Sequence, residues 1–474
     1  MTRRHKRPLP LLERVEITGV AAEGKALARV NDKVLFVPFA APGDVLDVQV
    51  RKARKHYMEG EVVNVHRLSS MRVEPLCEHF GTCGGCKWQH LPYEKQLEFK
   101  QQQVTDNLER IGKLNFDHVE VLPIAGSDKT TFYRNKMEYT FSDRRWLTRD
   151  EIDSAREIED QQGLGLHIPG MFDKVLDIKK CWLQEDPSND IRIAIRDFAR
   201  EEGLSFFNLR ANEGLLRNLV IRNTPEGQLM VLMIFGQDDR ILIDKVMGFI
   251  DRRFPDLHSL AYIMNTKRNP SMADLEPVIY KGSPYLEEKI EDLIFEIGPK
   301  SFFQTNSLQA RKLYGIVRDF AALQGHEVLY DLYTGTGTIA CFLAPRVDKV
   351  LGIEYVEEAV AHARSNARLN ELENTIFLAG EMAEVFNEEL MDKQGYPHVI
   401  VTDPPRAGMH PKVVKQILAA GADRIVYVSC NPATQARDIE LLSGRYQVSK
   451  SQAVDMFPQT QHVENVVLLK RVRC

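Results

Sequence analysis

Five side chains able to do chemistry fall at the ends of short apolar runs in the last third of the chain. Asp331 closes E-V-L-Y-D, Glu354 closes K-V-L-G-I-E, Glu381 follows I-F-L-A-G, Asp403 closes H-V-I-V-T-D, and Cys430 closes R-I-V-Y-V-S-C. Gly335 and Gly337 follow Asp331 and precede the helical run Ile339 to Leu343. Glycines at a strand-to-helix turn let the backbone approach a ligand, because no Cβ stands in the way. In an open α/β sheet, ligands lie outside the carboxyl ends of the strands. Five such residues on one edge therefore describe a binding site better than five unrelated caps. Glu354 is placed to accept hydrogen bonds from a ribose diol, and Glu381 to border an adenine. A thiol at that edge, Cys430, points to covalent catalysis. Glu464, in F-P-Q-T-Q-H-V-E-N-V-V, would serve as a base if the last strands fold back over the sheet edge, with His462 as the competing base.

A second chemical group is C-E-H-F-G-T-C-G-G-C-K-W-Q-H, which is Cys77-x5-Cys83-x2-Cys86. Three thiols this close, with two glycines between them, can converge on one metal centre. Zinc and an iron–sulfur cluster both need a fourth ligand. Cys181 in D-I-K-K-C-W-L is the natural candidate, with His79 or His90 as alternatives. The chain has seven cysteines. That odd count, and the lack of an apolar segment after M-T-R-R-H-K-R, lead to the expectation of a cytoplasmic protein with non-disulfide roles for its thiols.

Several elements must position these groups. Residues 11–66 read as five short strands broken by Gly and Pro-Gly turns, an OB-type barrel. Arg51, Lys52, Arg54 and Lys55 form a basic run beside His56 and Tyr57, suited to phosphate contacts and one stacking ring. Residues 93–113 read as one amphipathic helix with Leu97, Val104, Leu108 and Ile111 on its apolar stripe and Gly112 closing it. The segment 131–142 is strand-like, with Arg134 and Lys136 between aromatics. Residues 149–162 read as a surface helix or flexible insert. Strands at 215–223 and 228–235 and a helix at 240–252 give an α+β region able to carry RNA-contacting strands. From 293 onward, alternating strands and helices imply a parallel, doubly wound sheet. No apolar run approaches about 20 residues, so no helical membrane span is expected. Formal net charge is −5, yet residues 1–72 hold fourteen Lys/Arg against eight Asp/Glu. That asymmetry suits a basic nucleic-acid module joined to an acidic catalytic body.

The spacing D-x-x-x-G-x-G resembles the first nucleotide-binding loop of S-adenosylmethionine-dependent methyltransferases more than the dinucleotide G-x-G-x-x-G. Nearly the whole chain resembles the RNA uracil-5-methyltransferase family, in particular its iron–sulfur ribosomal-RNA branch. The likeness rests on C-x5-C-G-G-C with Q-H, F-F-Q-T-N, D-x-x-x-G-T-G-T-I, D-P-P-R, V-S-C-N-P-A-T and H-V-E. It implies a TRAM-type barrel at 1–68, a central α+β iron–sulfur domain at 69–92 and 126–296, a helix at 93–125 packing on the catalytic domain, and a Rossmann-like methyltransferase domain at 297–474. Cys77, Cys83, Cys86 and Cys181 would hold a [4Fe–4S] cluster. Cys430 would add to C6 of a uridine, because uracil C5 is too weak a nucleophile to attack a sulfonium methyl unaided. Glu464 would then remove the C5 proton. Gln304, Tyr333, Glu354 and Asp403 would line the S-adenosylmethionine site, and Phe302 would sit near a uridine flipped out of its stack.

The substrate implied is a single-stranded loop of 23S ribosomal RNA, met by a monomer with no membrane association. Two positions depart from the family pattern: Thr334 stands where Cys is frequent, and Asn218 replaces the His of L-R-H-L-V-I-R. Rival readings are a tRNA uracil-5-methyltransferase and a non-catalytic RNA-binding iron–sulfur redox sensor. A cytosine-5 enzyme would place Cys where Asp403-Pro404-Pro405-Arg406 stands, and an adenine amino-methylase would carry an aromatic in place of Arg406.

Overall fold

The computed structural model describes residues 9–154 and 161–472. The basic N-terminal heptapeptide, Cys474 and part of the 149–162 segment lie outside the described residues. Residues 149–153 of that segment form a short helix, Arg149–Asp153.

The N-terminal strands make one sheet of six rather than five, in the order Leu11–Glu16, Val45–Ala53, Tyr57–Arg67, Lys33–Val37, Ala26–Val30, Gly19–Val20. The extra strand arises because 11–20 is not continuous. Ile17 N–H bonds the Asp44 carbonyl and Thr18 N–H the Leu27 carbonyl, so the chain changes partners between Glu16 and Gly19. Alternate residues such as Leu35, Val37, Leu46, Val48 and Val50 fill its core.

A seven-stranded sheet forms the middle of the molecule, in the order Val175–Asp177, Gly163–His167, Lys136–Ser142, Leu216–Asn223, Leu229–Phe235, Ser259–Met264, Val278–Gly282. Two helices cover one face, Ser188–Glu201 and Arg240–Arg253, the first of which the sequence reading missed. They meet through Phe198 and Phe249, stacked with ring centroids 4.0 Å apart.

The C-terminal sheet has eight strands in the order Thr375–Ala379, Lys349–Glu354, Val328–Leu332, Val399–Thr402, Arg424–Ser429, Glu464–Arg471, Tyr446–Val454, Glu120–Ala125. The first five are parallel, and Glu464–Arg471 runs antiparallel to Arg424–Ser429. Side chains alternate between two cores, as a doubly wound sheet requires. Leu329, Val399, Val401 and Val426 pack under helices Ser307–Ala321 and Glu357–Leu369. Tyr330, Leu332, Ile400 and Ile425 pack on the other side with Pro411–Ala420 and Pro432–Leu442.

Helix Tyr93–Arg110 lies on that second side, packed against Pro432–Leu442. Its buried stripe is Gln96, Lys100, Val104 and Leu108, not the stripe expected from Leu97 and Ile111. Ile111 is exposed. Two polar side chains displace apolar ones because their partners are waiting in the C-terminal segment. Lys100 Nζ donates to Asp455 Oδ1 at 2.6 Å, and both side chains are fully buried. Gln96 donates to the Gln459 side chain at 3.0 Å and accepts from Gln459 N–H at 2.8 Å. Removing one member of a buried ion pair leaves the other unpaired at a cost of roughly 3–5 kcal/mol. Lys100→Met is expected to destabilise the protein by about that amount in urea unfolding. Adding Asp455→Leu should return part of it, and strictly additive losses would show that the pair is not coupled.

Candidate active site

The carboxyl edge of the C-terminal sheet opens on a cavity of about 840 Å³. Asp331, Gly335, Glu354, Asp403, Cys430 and Glu464 all line it, together with Phe302, Gln304 and Tyr333. Two expected residues do not. Glu381 sits outside the lining as the N-terminal flank of the short helix Met382–Val385. Its strand is the sheet's outer edge, so the residue after it is carried away from the cavity. Gly337 also stays outside. Its φ is +79°, and a Cβ there would lie 2.8 Å from Ala363 Cβ, so this glycine serves helix packing rather than ligand approach.

Local folding explains the placement of the others. Thr334 Oγ1 donates to Asp331 Oδ2 at 2.6 Å, closing the turn after the first strand. Gly335 N–H donates to Glu354 Oε2 and Val356 N–H to Glu354 Oε1, both at 3.1 Å, which fixes that carboxylate at the mouth of the loop. Tyr333 adopts φ +65°, a left-handed conformation that costs a side-chain-bearing residue of order 1–3 kcal/mol. The F-F-Q-T-N loop is held from the middle sheet. Asn135 Nδ2 donates to the Gln304 carbonyl at 2.9 Å and to Ser307 Oγ at 2.8 Å, while Asn135 N–H donates to the Thr305 carbonyl at 2.9 Å. The buried Arg222 guanidinium donates to the Ser301 carbonyl. Phe302 is left 72% exposed at the rim.

The last paired residues of two antiparallel strands are Ser429 and Asn465. One step further along the same register brings Cys430 opposite Glu464. Both face the cavity, whereas His462 does not line it. Burial and nearby cations hold His462 down at about 4. Burial, then the carboxylates of Glu464 and Asp403, push the Cys430 thiol up to about 11, against a smaller downward pull from Arg406. Burial also raises Asp331 to about 7 and raises both Asp403 and Glu464. Arg406, Phe457 and Tyr314 also line the cavity and were not singled out as site residues by sequence reasoning. Arg406 had a signal, since it ends D-P-P-R beside Asp403.

Arg51 and Lys52 lie on the N-terminal sheet, away from the cavity and paired with Glu61 at 2.9 Å and Glu59 at 2.6 Å. Lys136 starts a strand of the middle sheet. Arg134, two residues earlier, lies 5.3 Å over the ring of Phe457.

Cys77, Cys83, Cys86 and Cys181 line one small cavity of about 20 Å³, with His79 beside them. His90 does not line it; its Nε2 is 3.2 Å from the Ala40 carbonyl. Burial pushes Cys83 up to about 12 and Cys86 up to about 11, and the neighbouring thiols add to both. Gly85 N–H donates to Cys83 Sγ at 3.4 Å. Among the described residues no group of three or more His, Cys, Asp or Glu stands where it could hold a metal ion. The donor types, four cysteine thiols on one cavity, suit an all-thiolate centre.

A doubly wound sheet with this glycine turn, and a glutamate ending the neighbouring strand, is the framework of an S-adenosylmethionine-dependent methyltransferase. Comparison with known proteins narrows the class. Residues 283–472 match the family described as tRNA (Uracil-5-)-methyltransferase, and residues 13–63 match the TRAM domain. An uncharacterized RNA methyltransferase of Bacteroides thetaiotaomicron is 54% identical over 95% of this chain and 100% of its own. One from Chlorobaculum tepidum is 39% identical over 96% and 95%. The Pyrococcus abyssi tRNA (uracil-54, C5)-methyltransferase, solved with S-adenosyl-L-homocysteine, superposes with a TM-score of 0.74 at 30% identity, covering 96% of this chain and 100% of that one. The chain belongs to the RNA uracil-5-methyltransferase family and is an S-adenosylmethionine-dependent enzyme with an N-terminal TRAM domain. No helix among the described residues is long and apolar enough to cross a membrane.

The raised carboxyls give this pocket a pH signature. Asp331 stays protonated in the fold up to about 7 while the unfolded chain ionises near 3.8. Its contribution to stability is therefore complete below 3.8 and is lost as pH rises through 7. The free enzyme should lose melting temperature across that window. A cationic sulfonium offsets carboxylate charge and a neutral thioether does not, so S-adenosylmethionine should protect against the loss more than S-adenosylhomocysteine does. Thermal melts at several pH values with each ligand check this. Protection by the two that keeps a constant ratio across the pH range would refute it.

Proposed function

We propose that the enzyme methylates C5 of a uridine in a single-stranded loop of 23S ribosomal RNA, through a transient bond between Cys430 and C6. The observation that carries the reading is the register partnership of Cys430 and Glu464 inside one cavity that also holds Asp403 and Glu354. S-adenosylmethionine supplies the electrophilic methyl group and its positive charge. In the free enzyme the Cys430 thiol is held neutral by burial and two carboxylates, so its ionisation is favoured once a cation neutralises them. Cys430 Sγ then bonds to C6, which makes C5 nucleophilic toward the methyl carbon. After methyl transfer, the Glu464 carboxylate takes the C5 proton, the C6–Sγ bond breaks, and the electron pair returns to sulfur. Asp403 and Arg406 set the charge around both groups. Phe302 offers the exposed ring beside the entering base, Gln304, Tyr333, Glu354, Asp331 and Gly335 surround the donor, and Arg134, Lys136, Arg51 and Lys52 contact the RNA.

Cys430→Ala is expected to lower methyl transfer more than about a thousandfold while the protein still binds S-adenosylmethionine. Glu464→Gln is expected to accumulate a protein–RNA band that survives denaturing electrophoresis. Release of free methylated RNA at the wild-type rate would reject Glu464 as the base. A redox sensor without catalysis would be indifferent to Cys430→Ala.

Support for a ribosomal substrate is the likeness of the cysteine motif to the ribosomal branch. A tRNA substrate is favoured by the name of the matched family and by the archaeal enzyme of known structure. Mapping 5-methyluridine in both RNAs from cells lacking this protein decides between them.

The same reading assigns Cys77, Cys83, Cys86 and Cys181 to a [4Fe–4S] cluster. Its support is the set of four thiols, with a backbone N–H aimed at one sulfur, sharing one cavity. Protein purified without oxygen should be brown, absorb near ~400 nm and carry about four irons per chain. A colourless preparation with zinc, or with no metal, would overturn the assignment.

A further inference from the structure

Strands Lys136–Ser142 and Leu216–Asn223 run antiparallel, with Lys136 directly opposite Arg222. Their side chains share one face of the middle sheet. The other face, with Met137, Tyr139, Leu219 and Ile221, is packed into the apolar core beneath the two helices. Two cations thus stand side by side on the opposite face, Arg222 buried and Lys136 half-buried. Arg222 is 4% exposed. Its Nε has no hydrogen-bond partner. Glu138, exposed, is the only carboxylate among the described residues whose field acts on either cation. Burial and the Arg222 charge hold Lys136 below the usual lysine range, and burial lowers Arg222 to about 10.

Adjacent like charges in a poorly hydrated place are unfavourable unless an anion completes them. The position says which anion. Arg222 bonds the carbonyl of Ser301, the residue before the exposed Phe302 at the cavity rim. Neither Lys136 nor Arg222 lines the cavity itself, so the donor molecule is not their ligand. Arg134, two residues before Lys136, carries another buried Nε without a partner and lies over Phe457, which does line the cavity. The unpaired cations therefore flank the entrance rather than the interior.

We propose that Lys136 and Arg222 form a phosphate-binding subsite for the RNA phosphodiester next to the nucleotide that enters past Phe302. The half-exposed Lys136 ammonium would meet a non-bridging oxygen of the phosphodiester directly, and the buried Arg222 guanidinium, which holds the Ser301 carbonyl, would add its charge from behind. Such contacts position a strand without reading its sequence. The subsite rests on the RNA-methylating reading given above.

The test uses the full enzyme and the RNA fragment spanning whichever uridine the wild type methylates. Lys136 is only partly buried and its charge opposes that of Arg222, so Lys136→Met should fold with a melting temperature no lower than that of the wild type and with unchanged S-adenosylmethionine affinity. It is expected to weaken RNA binding about five- to tenfold near 0.1 M salt and to reduce the slope of log affinity on log salt by roughly 0.7, the single-strand value for one phosphate contact. Replacing one linkage beside the uridine, 5′ or 3′, by a neutral methylphosphonate should weaken wild-type binding by a similar factor. In Lys136→Met the same replacement should cost clearly less than in the wild type, because only Arg222 remains to lose the phosphate charge. A wild-type salt slope in the variant, or penalties that simply multiply, would overturn the subsite while leaving uridine methylation standing. Failure of the wild type to methylate any RNA at uracil C5 would remove the functional reading and this inference together.

Discussion

The ion pair between Lys100 and Asp455, sealed from solvent on both sides, is the joint on which the remaining geometry hangs. Asp455 takes hydrogen bonds from Lys100, from Tyr93 Oη at 2.9 Å and from Phe457 N–H at 3.1 Å, so its charge is fully spoken for. Taking two ions out of water is costly unless each is saturated in this way. The segment this joint fixes, 455–463, is where four parts of the chain meet. Phe457 reaches the cavity, Tyr133 of the middle region donates to the Pro458 carbonyl at 2.9 Å, and Lys87 and Trp88, just after Cys86, donate their N–H groups to the Gln459 carbonyl at 3.0 Å. Glu464 follows directly as the first residue of its strand. The cysteine loop, the early helix and the middle sheet therefore all bear on the backbone that delivers Glu464 to the cavity.

Within the cavity the governing constraint is charge. Asp331, Asp403 and Glu464 are buried, the Asp403 carboxylate disfavours ionisation of both Asp331 and Glu464, and Asp403 and Glu464 together disfavour ionisation of the Cys430 thiol. Water could relieve this only by filling the site. A cationic donor relieves it by binding, and in doing so favours the ionised forms that the chemistry requires. In the reaction proposed above, affinity for the donor and activation of the thiol would come from one electrostatic source, which matters for a thiol otherwise held near 11.

What the sequence disclosed followed from local pattern. Strand-ending residues Asp331, Glu354, Asp403 and Cys430 were legible because a period-two run meeting a glycine or proline turn fixes which end faces the ligand. Glu381 obeyed the same pattern and yet misled, because the pattern does not say that its strand is at the sheet edge. Gly337 misled for a related reason: the glycine answers to Ala363 on a helix 26 residues later, a contact with no signature in its own loop. The helical stripe of 93–110 was misjudged because Gln96 and Lys100 count as surface residues until partners more than 350 positions away are known. The same blindness hid Asn135 and Arg222, whose work is to hold a loop belonging to another domain.

Those long-range contacts also change how a chain of net charge −5 can grip RNA. The basic N-terminal run looked like the main electrostatic handle, but Arg51 and Lys52 are matched with glutamates on the neighbouring strand. Exposed pairs of this kind are worth little to stability and exchange readily with phosphate, so they favour loose, sequence-independent capture. The cations around Phe302 differ, being desolvated, close together and short of carboxylate partners. A phosphodiester gains more from such groups than from hydrated ones, because their desolvation has already been met by folding. On the proposed reading, capture on the TRAM surface and registration at the middle sheet would be two separate tasks, and only the second needs to be rigid with respect to Cys430. The clamp from Asn135 and Arg222 onto the F-F-Q-T-N loop provides that rigidity, since the strands that carry Lys136 and Arg222 also hold the loop that bears Phe302.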